Sequence, residues 1–442
     1  MNAQHTLRGR IARGVGATLY AQGVTIVIQL ASVPLFLSKW DLGTYGTWLV
    51  IAAVPAYLSV ADFGILPSAG NQMAALVAGR RHSEAVIVFA NAKALVYAST
   101  LVLSVLSCVA LLTPILSGWL NADGRTALLL LIVGVLASQV GGLAEMIFRA
   151  TGRFATGTST AVSVRLLEFS GWAVGLWIDG SFTAVAGWGL AFRLIGLIGL
   201  MVFGSRSQNS FNYGLRAASF AGIRPLLLPG AAILVLDLYA IVSVQGVTLV
   251  AAAALGPSAV AAFNIYRTIS RTATQATSVL STPLEPELAA AIGRSDTSRA
   301  RSAYQQGRKW TLLLSLIVAV IAFGATPLFL PLWTHGQVQW DPLLAFALLL
   351  WAVVVSAWYM PRALLRAANR HIGLAVWALA TAALGLVIEY LAARLGGLHG
   401  LAFGLLPSEI LIMCIAVYFA SMELRVGLPT SPAFRTTKRT DR

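Results

Sequence analysis

Charge is scarce in this chain. Asp, Glu, Lys and Arg together make up 11% of its 442 residues, where a water-soluble protein spends about a quarter of its positions on them. That deficit, with 58% hydrophobic residues and a mean hydropathy of +0.79, excludes an ordinary soluble globular domain. Cysteine is nearly missing as well. Cys108 and Cys414 both fall inside apolar runs, where a small apolar side chain is the plain reading, and they suggest neither a disulfide nor a metal site. The five histidines, His5, His82, His335, His371 and His399, lie in connections or at the ends of apolar runs. There is no Gly-x-x-x-x-Gly-Lys phosphate loop, no His-Glu-x-x-His and no Cys or His cluster. An active site of the soluble kind is unsupported, so the chain is expected not to be an enzyme and to hold no cofactor and no metal.

What remains is a succession of long apolar runs. They recur from Gly16 almost to Met422, each long enough to cross roughly 30 Å of hydrocarbon at about 1.5 Å per residue. They predict an all-α polytopic membrane protein with twelve spans, at 14–37, 43–64, 86–112, 126–149, 156–178, 182–204, 226–252, 257–282, 310–333, 341–361, 372–394 and 398–421. The N-terminal run is too long for a signal peptide and a second span follows after a short turn, so it is expected to be retained.

Orientation follows from the basic residues between the spans. One alternating set of connections holds 23 Lys and Arg, among them Arg80, Arg81, the cluster from Arg294 to Lys309 and the cluster from Arg425 to Arg442. The other set holds three, Lys39, Arg125 and Arg394. Basic residues are retained on the cytoplasmic side, so both termini are predicted to be cytoplasmic and the number of spans even. The net charge of +15 then needs no nucleic-acid partner, because basic surface facing anionic membrane lipids accounts for it.

Two segments suggest an internal repeat. Leu42–Arg81 and Leu255–Arg294 both open with Leu-Gly, carry proline in their later part and close on an Ala-rich stretch ending Gly-Arg. Six spans per half would make parallel repeats about an axis along the membrane normal. The predicted organisation is a six-helix bundle over 1–204, a cytoplasmic linker over 205–225, a second six-helix bundle over 226–424 and a disordered cytoplasmic tail over 425–442. The longest non-cytoplasmic connection, near Thr113–Arg125, is about a dozen residues. It leaves no room for a catalytic domain on that face.

Charges inside the spans each need a reason, since one at the centre of a membrane helix costs roughly 2.5–3.5 kcal/mol on insertion scales. They are Lys93, Arg165, Arg193, Arg267 and Arg271, against Asp62, Glu145, Glu168, Asp237, Glu389 and Glu409. Glu145 with Arg149 and Arg165 with Glu168 have the i,i+4 and i,i+3 spacings of structural pairs, and Asp62 is placed to cap a broken helix. Span eight differs. Asn264, Arg267, Thr268, Arg271, Gln275, Ser278 and Thr282 fall on one arc of about 100° and form a polar stripe. Such a stripe must face protein or water, as a salt-bridged packing face or as the wall of a substrate cavity. Arginine also suits phosphate oxygens, because its planar fork can bond two at once. Asp237 has no basic residue at i±3 or i±4, which leaves two readings. It is either an ion partner of Arg267 or Arg271, or a group that couples transport to an ion. Gln22 and Gln29, seven apart on span one, share a face and line the same cavity or bond across helices. Lys93 and Arg193 join the expected cavity lining.

With these residues in view, the chain resembles a known family, the polysaccharide flippases of the O-antigen (Wzx) type, within the superfamily that includes the multidrug and toxin extruders. The carrying segments are QLASVPLFLSKWDLGTYGTWLVIAAVPAYLSVADFGILPSAGN, then EMIFRATGRFATGT, then RLLE at Arg165–Glu168, and the likeness is strongest over 16–170. The resemblance implies two six-helix bundles around a central cavity that opens alternately to either side of a bacterial inner membrane. It also implies the substrate, an undecaprenyl-pyrophosphate-linked oligosaccharide, and possible partners in a polysaccharide polymerase and chain-length machinery. Arg267 and Arg271 would then meet the pyrophosphate. Two other classes compete. A cation-coupled multidrug extruder often uses an acid on span one, where this chain has only Gln22 and Gln29. A membrane-embedded glycosyltransferase or polymerase generally needs a sizeable loop outside the membrane.

Overall fold

The computed structural model describes residues 2–60, 64–112, 120–207, 211, 219, 222–223, 234–235, 237–294, 296–368 and 370–426. Among them all regular structure is helical. The helices are α1 (Asn2–Leu37), α2 (Leu42–Leu58), α3 (Ile65–Ala78), α4 (His82–Leu112), α5 (Ala122–Ala150), α6 (Phe154–Ile178) and α7 (Phe182–Ser207). After them come α8 (Asp237–Leu255), α9 (Pro257–Gly293), α10 (Thr297–Trp333), α11 (Pro342–Ala357), α12 (Tyr359–Ala367) and α13 (Ile372–Val426). The chain divides into two compact units, Met1–Ile241 and Val242–Arg442. The boundary falls within α8, where the helix widens into a π turn at Val242–Gly246. About two thirds of the expected linker 205–225 and nearly all of the tail 425–442 lie outside the described residues, as do Asp62 and most of the connection after α4.

Nine helices among the described residues are long and apolar enough to cross a membrane. α2 is equally apolar but shorter than expected: it stops at Leu58, and α3 begins six residues beyond its cap at Ser59. α9 is missing from the nine although it is among the longest, because the polar stripe lowers its hydropathy. α11 ends at Ala357, and an amphipathic turn of helix, α12, carries the basic residues that follow. α13 is two helices joined at Gly397, whose φ of 61° and ψ of −142° only glycine adopts without strain. A Cβ on Gly404 would touch the backbone of Glu389, and one on Gly385 would meet Ser408. These pairs step symmetrically away from Gly397, so the two arms run antiparallel as a helical hairpin, where spans eleven and twelve were expected.

In the first unit α7 packs against both α6 and α5. Gly171 and Gly175, one turn apart, let α6 approach so closely that a Cβ on either would collide with the carbonyls of Trp188 and Ala184; small residues at this spacing are a usual basis of tight helix packing in membranes. Asp123, in the first turn of α5, accepts from the backbone N–H groups of Phe182 and Thr183 at 2.9 Å each and so caps α7. Asp41 caps α2 through the N–H of Thr44 (2.7 Å); these bonds from Thr44 hold its carboxyl below the usual range. Phe36, Trp40, Trp48 and Phe182 form a stacked and edge-on aromatic cluster that ties the ends of α1, α2 and α7 together.

In the second unit α9 is the hub, packed against α8, α10, α11 and α12. A buried hydroxyl chain crosses three helices: Ser315 donates to Ser356 Oγ at 3.0 Å, and Thr277 lies 3.2 Å from the same oxygen. Bonds of this kind hold helices together where the hydrophobic effect cannot, because lipid is as apolar as leucine.

Candidate substrate-binding residues

Three members of the α9 stripe bond within their own helix. Asn264 donates to Val260 O, Thr268 to Asn264 O and Ser278 to Gln275 O, at 2.7–3.0 Å. A side chain bonded to its own preceding turn has little left to offer a neighbour. The side chain of Thr282 lies outside the described residues. The two arginines carry the charge of the stripe and reach beyond α9.

They find different surroundings. Arg267 is buried, at 2% exposure. Its Nη2 donates to Val244 O at 2.8 Å and its guanidinium lies 5.8 Å from the Phe263 ring. Val244 sits in the π turn, where the widened helix frees a carbonyl from the regular ladder. Glu389 of α13, also buried, is within Coulombic reach of Arg267. Asp237, which the sequence left as either an ion partner of Arg267 or Arg271 or a coupling group, lies exposed in the first unit. Glu389 was visible as an intramembrane acid but not as a partner, since more than a hundred residues separate it from Arg267. The pair is incompletely bonded: Arg267 Nη1 and Glu389 Oε2 are buried with no hydrogen bond among the described residues.

Arg271, one turn further along, is half-buried. Among the described residues no hydrogen bond or ion pair engages its guanidinium, and its electrostatic neighbour is the phenol of Tyr359. In the same unit, Glu409 accepts from Trp358 Nε1 at 3.2 Å, which gives this buried acid a structural partner.

The first unit holds the remaining candidates. Lys93 is fully buried in α4, with its ammonium 5.2 Å from the Phe89 ring. Gln22 and Gln29 are half-buried on α1. Arg193, expected in a cavity wall, is instead the partner of Glu168 across α6 and α7, with Nη1 to Oε1 at 3.1 Å. Arg193 thus makes the close contact with Glu168, while Arg165, exposed, stays within Coulombic reach of the same carboxylate. The Glu145–Arg149 pair does not form an ion pair either. Arg149 turns to α3 and donates to Asn71 Oδ1 at 3.3 Å, with Phe154 5.8 Å away.

No protein family and no curated protein matches the sequence. Solved structures do match. The inward-facing conformation of a multidrug resistance MATE family transporter of the MOP superfamily superposes with a TM-score of 0.75 at 15% identity, over 92% of this chain and 96% of that one. The outward-facing conformation gives 0.65 at 15% identity, over 94% and 96%. A MOP superfamily transporter from Pyrococcus furiosus, described as having a binding pocket of reverse polarity, gives 0.69 at 14% identity, over 95% and 96%. The chain therefore has the all-helical fold of the MATE transporters. With its apolar helices, that fold makes it a multi-pass membrane protein, and these three solved structures are of transporters.

Proposed function

We propose that this protein is a flippase. It moves an undecaprenyl-pyrophosphate-linked oligosaccharide from the cytoplasmic to the periplasmic leaflet of a bacterial inner membrane by alternating access. The observation that carries the reading is Arg271, a guanidinium on a membrane-embedded helix with no bonding partner among the described residues. A cation held there without a protein anion is favourable only if water or a substrate anion meets it, and pyrophosphate suits its planar fork. The sequence resemblance to O-antigen flippases over 16–170 points the same way. The fold is compatible with it, since the reverse polarity of one neighbour's binding pocket suggests a different function for that transporter.

The reading includes twelve spans in two six-helix halves, with both termini cytoplasmic. Nine long apolar helices, the short α2, the polar α9 and the division of α13 at Gly397 support that count. Polymerase and chain-length proteins are the expected partners, and membrane lipids the surroundings.

The test is Arg271→Ala in a strain lacking the native gene. Losing a charge-assisted contact should weaken substrate binding roughly ten- to a hundredfold. The variant is expected at normal abundance, with lipid-linked oligosaccharide accumulating in the inner leaflet. Arg271→Lys should restore part of the surface polysaccharide, because the charge survives and the fork does not. Full polysaccharide display by Arg271→Ala would overturn the proposal. Resistance to cationic drugs that depends on the protein, without any change in oligosaccharide, would assign it to the multidrug extruders instead.

A further inference from the structure

The first unit contains a second polar site that the transport reading does not use. A cavity of about 320 Å³ opens between α5, α6 and α7, lined by Ser138, Glu145, Thr158, Arg165 and Arg193 together with apolar residues. Its size falls at the lower end of ligand pockets, roughly 300–1,000 Å³. Its charges are sorted in a definite way. Arg193 is neutralised by Glu168 at 3.1 Å, and Ser138 donates back to Gly134 O at 3.0 Å. That leaves Arg165 and Glu145, both exposed: Arg165 shares the attraction of Glu168 with Arg193 and Glu145 lies within Coulombic reach of Arg149, but neither has a hydrogen bond or a close ion pair among the described residues. Each sits on a helix long and apolar enough to span a membrane, where a charge that lacks hydrogen bonds is costly. Apolar neighbours surround them: Leu166 and Leu167 are exposed beside Arg165, and Met146 and Ile147 are buried beside Glu145.

One cation and one anion without hydrogen bonds, both lining one cavity, define the ligand they would take together. The guanidinium suits a phosphate. The carboxylate suits a group with N–H donors and a positive charge. We propose that this cavity binds a phosphate-amine zwitterion, the headgroup chemistry of phosphatidylethanolamine, with the phosphate on Arg165 and the primary ammonium on Glu145. Basic pockets between membrane helices on the cytoplasmic side commonly hold lipid headgroups. Here Glu145 lies near the end of α5 that the charge distribution places toward the cytoplasm, and it gives the pocket a demand for an amine as well. A choline headgroup carries the same charge but no N–H, so it would lose the contact to Glu145. A glycerol headgroup brings no cation at all.

The experiment is native mass spectrometry of the purified full-length protein. It is titrated in turn with phosphatidylethanolamine, phosphatidylcholine and phosphatidylglycerol of identical acyl chains. Wild type is expected to retain one phosphatidylethanolamine, with affinity about tenfold or more above the other two. Glu145→Gln should erase the preference over phosphatidylcholine while leaving phosphate-dependent binding in place. Arg165→Gln should weaken all three lipids, and Arg165→Lys should recover part of the loss. The Glu145→Gln result is a change in selectivity, which a folding defect does not produce, so it stands even if Arg165→Gln is unstable. Soluble phosphoethanolamine separates the two sources of this chemistry: competition at matching concentrations assigns the site to a soluble zwitterion, and failure to compete assigns it to the lipid. Equal binding of the three lipids by wild type would overturn the proposal, as would an ethanolamine preference that survives Glu145→Gln.

Discussion

Glu168 and Arg193 show what a single side chain contributes in this molecule. Both are largely withdrawn from solvent, so removing one strands the other. Breaking a buried pair in this way costs on the order of 3–5 kcal/mol, whereas replacing both members by apolar residues of similar volume is often neutral. Glu168→Leu is therefore expected to lower the melting temperature of the purified protein markedly. The double substitution Glu168→Leu with Arg193→Met should return most of the loss. If the double variant melts no higher than Glu168→Leu alone, the 3.1 Å contact is not what stabilises this corner. The same pair shows how far the sequence could be read at this scale. Every intramembrane charge was visible as a residue, but the partners of Glu145 and Glu168 were assigned by spacing along one helix. The structure makes its bonds across helices: Arg193 to Glu168, Arg149 to Asn71, and Arg267 to Val244 with Glu389 nearby. Spacing within a helix says which side chains share a face, and only tertiary packing says what that face meets.

At the scale of the element, apolar length was the legible signal and helix ends were not. The runs around α4, α5, α6 and α7 coincide with their helices to within a few residues, because nothing but a helix satisfies its backbone in lipid. α9 was legible for the opposite reason: its hydropathy is poor, yet its polar residues keep a helical period on one face. The closeness of helix packing was hidden, since it depends on which glycines face a neighbour. Gly175 and Gly199 make the comparison. A Cβ at Gly175 would strike the backbone of Ala184 and Val185, while one at Gly199 would meet nothing within 4 Å. Gly175→Ala is expected to force α6 from α7 at a cost on the order of 1–3 kcal/mol. Gly199→Ala should be neutral or stabilise by up to about 1 kcal/mol, the difference in helix propensity. Thermal unfolding of the two proteins in the same detergent checks this, and equal melting temperatures would show that the α6–α7 approach is not held by the glycine.

For the whole molecule, the division of basic residues is the argument with the widest reach, since one miscounted span would scramble it. α10 makes it testable within a single element. It runs from Thr297 to Trp333, some 55 Å at about 1.5 Å per residue, which is more than a bilayer's hydrocarbon thickness of roughly 30 Å. Its two ends therefore belong on opposite sides. The N-terminal end carries Arg299, Arg301, Arg308 and Lys309, whereas the turn after the other end, His335–Gln337, carries no Lys or Arg. Retention of Lys and Arg in the cytoplasm then places Ser298 inside and His335 outside, both exposed. Because Cys108 and Cys414 are the molecule's own cysteines, both must first be replaced by serine or alanine. Single cysteines at Ser298 and His335 should then respond oppositely to a membrane-impermeant thiol reagent added to whole cells: His335→Cys labels at once, and Ser298→Cys labels only after the membrane is permeabilised. The reverse pattern would invert the molecule, put the termini in the periplasm and remove the direction of transport proposed for it. Labelling of both positions in intact cells would mean that α10 does not cross at all, and the twelve-span count would fall with it.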